Sequence, residues 1–367
     1  MKMNRIYCFL LLAGVLAMAS CSSDDDLPAL GRTDVLGASG ENGEGSTGTY
    51  VSRLLAPPGY ERGAGYCYAT GADYLEGVTF NIFNLNYLDS IQYVKGKNFV
   101  SDDYSPYCEE QVITGETRSA VSQQLALSAS VGVNFIVADI KVSGNYSKGS
   151  VQESQSVFAM KRTKRVAYCR DIQYRNIIMY YKETGDSLIF APGFYADWKN
   201  LEGTNVKQED VSNQDVLNFV NKWGRGFVAR AFMGGVLEYT LQIDKSALTE
   251  NMSVGMALEA SIGVLMGAEI SGSVQSQQFS KVSHDRYSLD IHVRGGDVQA
   301  VTEILSGEKP SPQGIQEWMA SVNFPPSPDS EQLKLCALTD VKIASIANLF
   351  TGKVQERVNY VLRTMPQ

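Results

Sequence analysis

The chain has 367 residues, 44% hydrophobic, 10% aromatic and 20% charged, a globular balance that excludes a disordered, collagen-like or coiled-coil protein. Its 32 basic and 40 acidic residues leave a net charge of −8, so there is no general electrostatic footprint for nucleic acid. Two histidines in the whole sequence make histidine-based metal sites and Ser-His-Asp catalysis poor readings.

In chain order, Lys2 and Arg5 precede an apolar run from Ile6 to Met18. That run suits a secretory signal and is short for a membrane-spanning helix. Leu16-Ala17-Met18-Ala19-Ser20-Cys21 resembles the bacterial lipobox. The resemblance implies that residues 1–20 are a lipoprotein signal peptide and that Cys21 is diacylated and becomes the N-terminus. An ordinary signal peptide with a chance cysteine is the alternative. Ser22-Ser23-Asp24-Asp25-Asp26 resembles the surface-export signal of lipoproteins in the Bacteroides group, the alternative being an acidic solvated linker. Residues 21–49 read as an acylated flexible tether, and residues 50–367 as a single domain with a helical C-terminal tail.

Cys67, Cys108, Cys169 and Cys336 remain once Cys8 and Cys21 are set aside. An oxidising compartment permits two disulfides in three connectivities, and buried free thiols are the other reading. No spacing among them suits zinc.

Ile172 to Tyr181, rich in Ile and Tyr, predicts a buried strand. Ser212 with Asp215 three residues on predicts a capped helix, with Val211 and Val216 as a staple and Val216, Phe219, Val220 and Trp223 as its buried stripe. Leu237, Tyr239, Leu241 and Ile243 alternate with polar positions as in a strand, and so do residues 287–294. Thr339 or Asp340 is placed to cap a helix bearing Ile343, Ile346, Ala347 and Phe350, which Gly352 would stop. A last helix carries Val354, Val358, Val361 and Leu362. Strands and helices mix without a strict βαβ rhythm, which predicts an α+β fold.

An approximate repeat links Ala126–Val133 to Ala257–Val264. In the second copy Leu258, Ala260, Ile262, Val264, Met266, Ala268 and Ile270 occupy every other position, as one face of a strand requires. In the first, Leu125, Leu127, Val131, Val133 and Phe135 alternate before the phase shifts at Ile136. The second copy also reads as a helix with an amphipathic stripe of Leu258, Ile262, Leu265, Met266 and Glu269. Both periods fit, and permanently folded core helices or strands remain an alternative to convertible ones.

Trp223-Gly224-Arg225-Gly226-Phe227, six residues and then Gly234-Gly235 resembles the signature of the membrane-attack-complex/perforin (MACPF) family. Arg225 and Gly226 stand where that signature has Thr or Ser and His. Gly63-Ala64-Gly65-Tyr66 resembles the family's opening, Gly295-Gly296 its second glycine pair, and Trp318 with Leu338 to Leu349 its closing helices. The chain is thereby identified as similar to the Bacteroidales secreted antimicrobial proteins within that family. The likeness implies a MACPF/cholesterol-dependent-cytolysin-like fold: a bent, twisted, antiparallel four-stranded sheet flanked by two helical clusters. It implies that the glycine pairs let the sheet hinge and that segments near 117–158 and 250–284 insert into membrane as hairpins.

The function so implied is a pore-forming antibacterial toxin, anchored by lipid at the outer-membrane surface or released from it. Its partners would be a target-cell membrane, an unknown surface receptor and further copies of itself, with no nucleic acid. A non-lytic surface adhesin for a glycan or host surface is the alternative. The sequence shows no enzyme site, cofactor site or metal site: His284 and His292 are isolated, and the glycine-rich stretch from Gly37 to Gly48 lacks the Lys and Ser/Thr of a phosphate loop.

Overall fold

Two long strands form the spine, β5 (Ser156–Ile172) and β6 (Gly226–Asp244), paired antiparallel from Ser156↔Asp244 to Asp171↔Arg230. Both are rich in β-branched and aromatic residues, which suit a pleated, half-buried surface. The computed structural model describes residues 63–68, 78–128, 153–202, 211–265, 279, 281–283, 286–297, 299–300, 304, 312–322, 333 and 335–364. The signal peptide, Cys21 and the tether lie outside the described residues.

Around the spine run β1 (Tyr66–Tyr68), β2 (Val78–Asn81), α1 (Leu85–Lys95), β3 (Val100–Asp103), β4 (Tyr107–Gly115) and α2 (Arg118–Ser128). After β5 come α3 (Tyr174–Thr184), α4 (Pro192–Glu202) and α5 (Asn213–Trp223). After β6 come α6 (Val254–Leu265), β7 (Tyr287–Arg294), α7 (Pro312–Ser321), β8 (Ala337–Ser345) and α8 (Gly352–Thr364). The central ladder is β4-β5-β6-β7, antiparallel throughout. β3 continues the line of β4 along β5, and β8 continues the line of β7 along β6. With β1 and β2 the sheet reaches eight strands.

The predicted cap of α5 is present as a full capping box: Ser212 Oγ accepts from the Asp215 N–H (3.1 Å) and Asp215 Oδ2 accepts from the Ser212 N–H (3.1 Å). Val216, Phe219, Val220 and Trp223 are buried, as their spacing predicts.

Two predicted elements are corrected. Residues 174–184 form a helix, not a strand. Ile177, Ile178 and Tyr180 are its buried residues, Gly185 closes it in the left-handed region (φ 70°), and its N–H reaches the Tyr181 carbonyl (2.7 Å). A ten-residue stretch rich in Ile and Tyr satisfies either period, and here packing decides: the Tyr181 ring lies 5.1 Å from Trp198 and 5.6 Å from Phe190. Residues 337–345 form a strand, followed by a 3-10 turn at Ile346–Leu349, so neither Thr339 nor Asp340 caps a helix. Without β8, β6 would have an unpaired edge from Gly226 to Gly234. Gly352 opens α8 (φ 58°) instead of ending a helix.

The main core gathers α3, α4, α5 and α8 over one end of the sheet, with Trp198 fully enclosed and its Nε1 donating to the Leu349 carbonyl (2.9 Å). Trp198→Ala is expected to cost about 3–5 kcal/mol in a denaturant titration. Ser212→Ala is expected to cost about 1 kcal/mol in the same measurement.

Candidate functional site

Three of the four lines of the ladder break at one level, and β6 alone runs through it. β4 begins at Tyr107, opposite Val166, while β3 ends at Asp103, opposite Cys169. β5 carries a bulge there: Val166 pairs with Gly234 and Tyr168 with Met233, leaving Ala167 as the extra residue. β7 ends at Arg294, opposite Val236, and β8 begins at Ala337, opposite Gly234. A bulge bends its strand and increases its twist, so a bulge in β5 aligned with the breaks in both outer lines makes a corner along β6.

Glycines fill this corner for steric reasons. A Cβ on Gly234 would lie 1.9 Å from the Arg165 carbonyl oxygen, and one on Gly295 would lie 2.3 Å from the Gly234 carbonyl oxygen. Gly235 and Gly296 are pressed by one ring: their added Cβ atoms would stand 2.8 Å and 2.5 Å from Trp318. Gly295 and Gly296 also hold φ of 70° and 89°. Trp318, on α7, is buried; its Nε1 donates to the Gly295 carbonyl (2.8 Å), and Ser321 Oγ accepts from the Asp297 N–H (3.0 Å). Sequence reading placed Trp318 in a closing helix but missed that its ring wedges against both glycine pairs.

The first half of the signature lies elsewhere, at the α5–β6 junction. Gly224 turns the chain there (φ 83°). Phe227 is buried edge-on to Tyr174 (5.2 Å) and Phe83 (6.3 Å), and Trp223 Nε1 donates to Asp197 (2.8 Å). The Gly65 N–H reaches the Val228 carbonyl (2.8 Å), so the opening motif docks beside Phe227. Arg225, the departure from the signature, donates from its guanidinium to the Leu362 carbonyl and so ties α8 to this junction. Trp223, Gly224 and Phe227 thus root β6 in the aromatic core, while Gly234, Gly235, Gly295 and Gly296 form the corner.

The described parts of the two repeat segments, α2 and α6, are helical and lie on opposite faces of the ladder. One face presents Val157 and Ala159 of β5 with Leu237, Tyr239, Leu241 and Ile243 of β6, and α6 covers it with Ala257, Leu258 and Ala260. Ile262 and Val264 are partly buried against the same cluster. The other face presents Phe158 and Met160, and α2 covers it with Val121 and Leu125. Leu127 belongs to α2, but its side chain lies outside the described residues, as do Val131, Val133, Phe135, Met266, Ala268 and Ile270.

The contact of α6 is thin. Ala257, Ala260 and Ser261 bury small side chains, and among the described side chains of α6 only Leu258 is large and fully covered, with Val254, Ile262 and Val264 partly buried. One fully buried Leu contributes roughly 1.5–3 kcal/mol. An ion pair supplements it: Lys161 Nζ meets Glu259 (2.9 Å) and Glu110 (3.0 Å). Burial pulls the Lys161 ammonium down, and the two carboxylates more than offset this, leaving it above the ordinary lysine range. Glu259, a charge inside an otherwise apolar segment, is therefore a tether to the sheet in this state.

All four cysteines outside residues 1–21 are free thiols. Burial pushes Cys67 and Cys336 up to about 12 and Cys169 to about 11, which makes them poor nucleophiles. Among the described residues no helix is long and apolar enough to cross a membrane.

The steric difference between two glycines gives a direct test. Gly263 lies within α6, and a Cβ there meets nothing within 4 Å. Gly263→Ala is expected to stabilise the protein by up to about 1 kcal/mol through helix propensity, whereas Gly234→Ala lowers the thermal midpoint; circular-dichroism melts of both variants check this.

Residues 62–334 match the MAC/Perforin domain family. The mouse complement component C8 beta chain is 22% identical over 256 residues, which are 63% of this chain and 42% of that protein. Among solved structures, GNIP1Aa from Chromobacterium piscinae superposes with a TM-score of 0.58 at 13% identity, over 83% of this chain and 55% of that one. A putative cell invasion protein with a MAC/Perforin domain from Bacteroides thetaiotaomicron gives a TM-score of 0.50 at 12% identity, over 83% of this chain and 60% of that one. This chain therefore spans only about half the length of the proteins it matches. Signature, corner, flanking helices and family match agree: the chain belongs to the MAC/Perforin (MACPF) domain family.

Proposed function

We propose that this protein is an antibacterial pore-forming toxin that assembles on a target-cell membrane and inserts two β-hairpins per subunit. The observation that carries this reading is topological. Residues 116–155, with α2, join the neighbouring antiparallel strands β4 and β5; residues 245–286, with α6, join β6 and β7. Straightening either segment extends an existing antiparallel pair without changing its partner or register. Each segment is long enough for two crossings of about 9–11 residues.

Assembly supplies what a lone subunit lacks. Among the described residues β4 pairs only with β5, and β7 only with β6, so the ladder offers two strand edges. Pairing those edges between copies and closing the ring satisfies the backbone groups that lipid cannot. The small residues and single ion pair under α6 make its release inexpensive compared with disrupting the aromatic core. The reading includes acylation at Cys21 and display at the outer-membrane surface, and its chemistry is mechanical, with no catalytic step. Recognition of the target is assigned to this same domain, through a surface receptor or glycan.

A disulfide tests the conversion directly. A Cβ on Gly255, at the start of α6, would lie 3.9 Å from Val112 Cγ1 on β4. The oxidised Val112→Cys/Gly255→Cys variant is expected to lose killing of susceptible related strains and dye release from vesicles of their outer-membrane lipid, and reduction is expected to restore both. Ile262→Lys and Val264→Lys are expected to abolish dye release, since a lipid-facing Lys near the midplane costs about 2–4 kcal/mol. Full killing by the oxidised variant, or no killing by the wild type, would overturn the reading; surface binding without leakage would favour the adhesin.

A further inference from the structure

On the face of the sheet opposite Trp318, two cationic side chains of β5 reach diagonally over the corner. Lys164 stands opposite Val236 of β6, whereas Asp340 of β8 stands opposite Phe232, so Gly234 and Gly235 lie between them. Lys164 Nζ nevertheless meets Asp340 Oδ2 at 2.6 Å. Beside it, Arg162 Nη2 donates to the carbonyl of Thr339, the extra residue of a bulge in β8 (2.7 Å). Strands about 4.8 Å apart that rise about 3.3 Å per residue would hold Lys164 and Asp340 too far apart to meet in a flat sheet. The contact exists because the sheet folds toward this face.

We propose that Lys164 and Arg162, bound to Asp340 and Thr339 of β8, form a releasable charge strap that holds the sheet bent in the unassembled protein. The groups are almost entirely enclosed: Arg162, Lys164 and Asp340 keep 5%, 8% and 5% of their surface. Each is further engaged on its own side of the corner. Lys164 meets Glu109 of β4 (3.0 Å) and lies over the Phe232 ring (5.8 Å), and Arg162 meets Glu238 of β6 (3.0 Å). Asp340 Oδ1 accepts from the Val341 N–H (2.8 Å). Burial pushes the Asp340 carboxyl up to about 7, and burial lowers the Lys164 ammonium below the ordinary lysine range against the pull of Glu109.

Charge suits a contact that must break. A buried ion pair adds little stability over an apolar pair, because desolvation offsets its attraction, but it has a demanding geometry. When the corner opens, both partners return to water and recover their hydration, whereas an apolar clasp would leave exposed hydrophobic surface. The strap therefore favours the bent geometry while leaving an opened sheet soluble.

The strap deepens the pore-forming reading, and its test is separable from that reading. Amide hydrogen exchange on the soluble protein reads opening of the corner without a membrane. Asp340→Asn and Lys164→Gln each remove one charge of the only ion pair described between β5 and β8, while Lys164 in the first variant keeps Glu109 on its own side of the corner. Each is expected to speed exchange at residues 231–236 and 337–341 by about tenfold or more while leaving α5 unchanged. The double variant is expected to add little to either single one, because both remove the same interaction. Glu109→Gln, on the near side of the corner, is expected to stay within about threefold of wild type. Unchanged corner exchange in both single variants, fully additive effects, or global unfolding of both by circular dichroism would overturn the strap. In the same proteins, faster dye release from vesicles of susceptible-strain lipid is the expected consequence. Corner opening without any leakage from wild type or variants would count against the pore and not against the strap.

Discussion

The constraint on which the structure depends is the approach of two backbones at Gly234. A side chain there would collide with the Arg165 carbonyl, and one at Gly295 would collide with Gly234 itself. The absence of four Cβ atoms at one level lets β5 pass from β4 to β3 and β6 from β7 to β8 along a single line. Everything functional is arranged about that line: the partner change from β7 to β8, the seat of Trp318, and the charged pairs on the opposite face.

The corner divides the molecule into regions of unequal cohesion. On one side, α3, α4, α5 and α8 close over a cluster of mutually contacting aromatic rings, where each lost side chain is costly. On the other, α2 and α6 rest on opposite faces of the ladder through few large residues, helped on one side by Lys161 and Glu259. Local opening follows the thinner packing. Apolar burial thus anchors the part that stays, while small residues and ion pairs hold the parts proposed to move.

Much of this was legible locally. The α5 cap and stripe, the alternation in β6 and β7, and the last helix follow from spacings that allow one period only. Trp223, Gly224 and Phe227 were recognisable as part of a signature, and Arg225 as its departure; that Arg225 reaches α8 was not, because its acceptor lies 137 residues away. The two misread segments share a cause. Residues 174–184 and 337–345 carry apolar patterns compatible with helix and strand. What resolved them was, in one case, an aromatic cluster assembled from α4, α5 and the rings of Phe190 and Phe350 and, in the other, an unpaired edge of β6. Local propensity is a weak prior against such demands.

The sequence by itself determined the family, the α+β character, the net negative charge and the glycine positions, because these rest on composition and on short-range spacing. Only the tertiary structure decided what the glycines press against, on which face each repeat helix lies, and that Lys164 meets Asp340. Those contacts join residues far apart in the chain, and their existence depends on a bend whose direction no local pattern encodes.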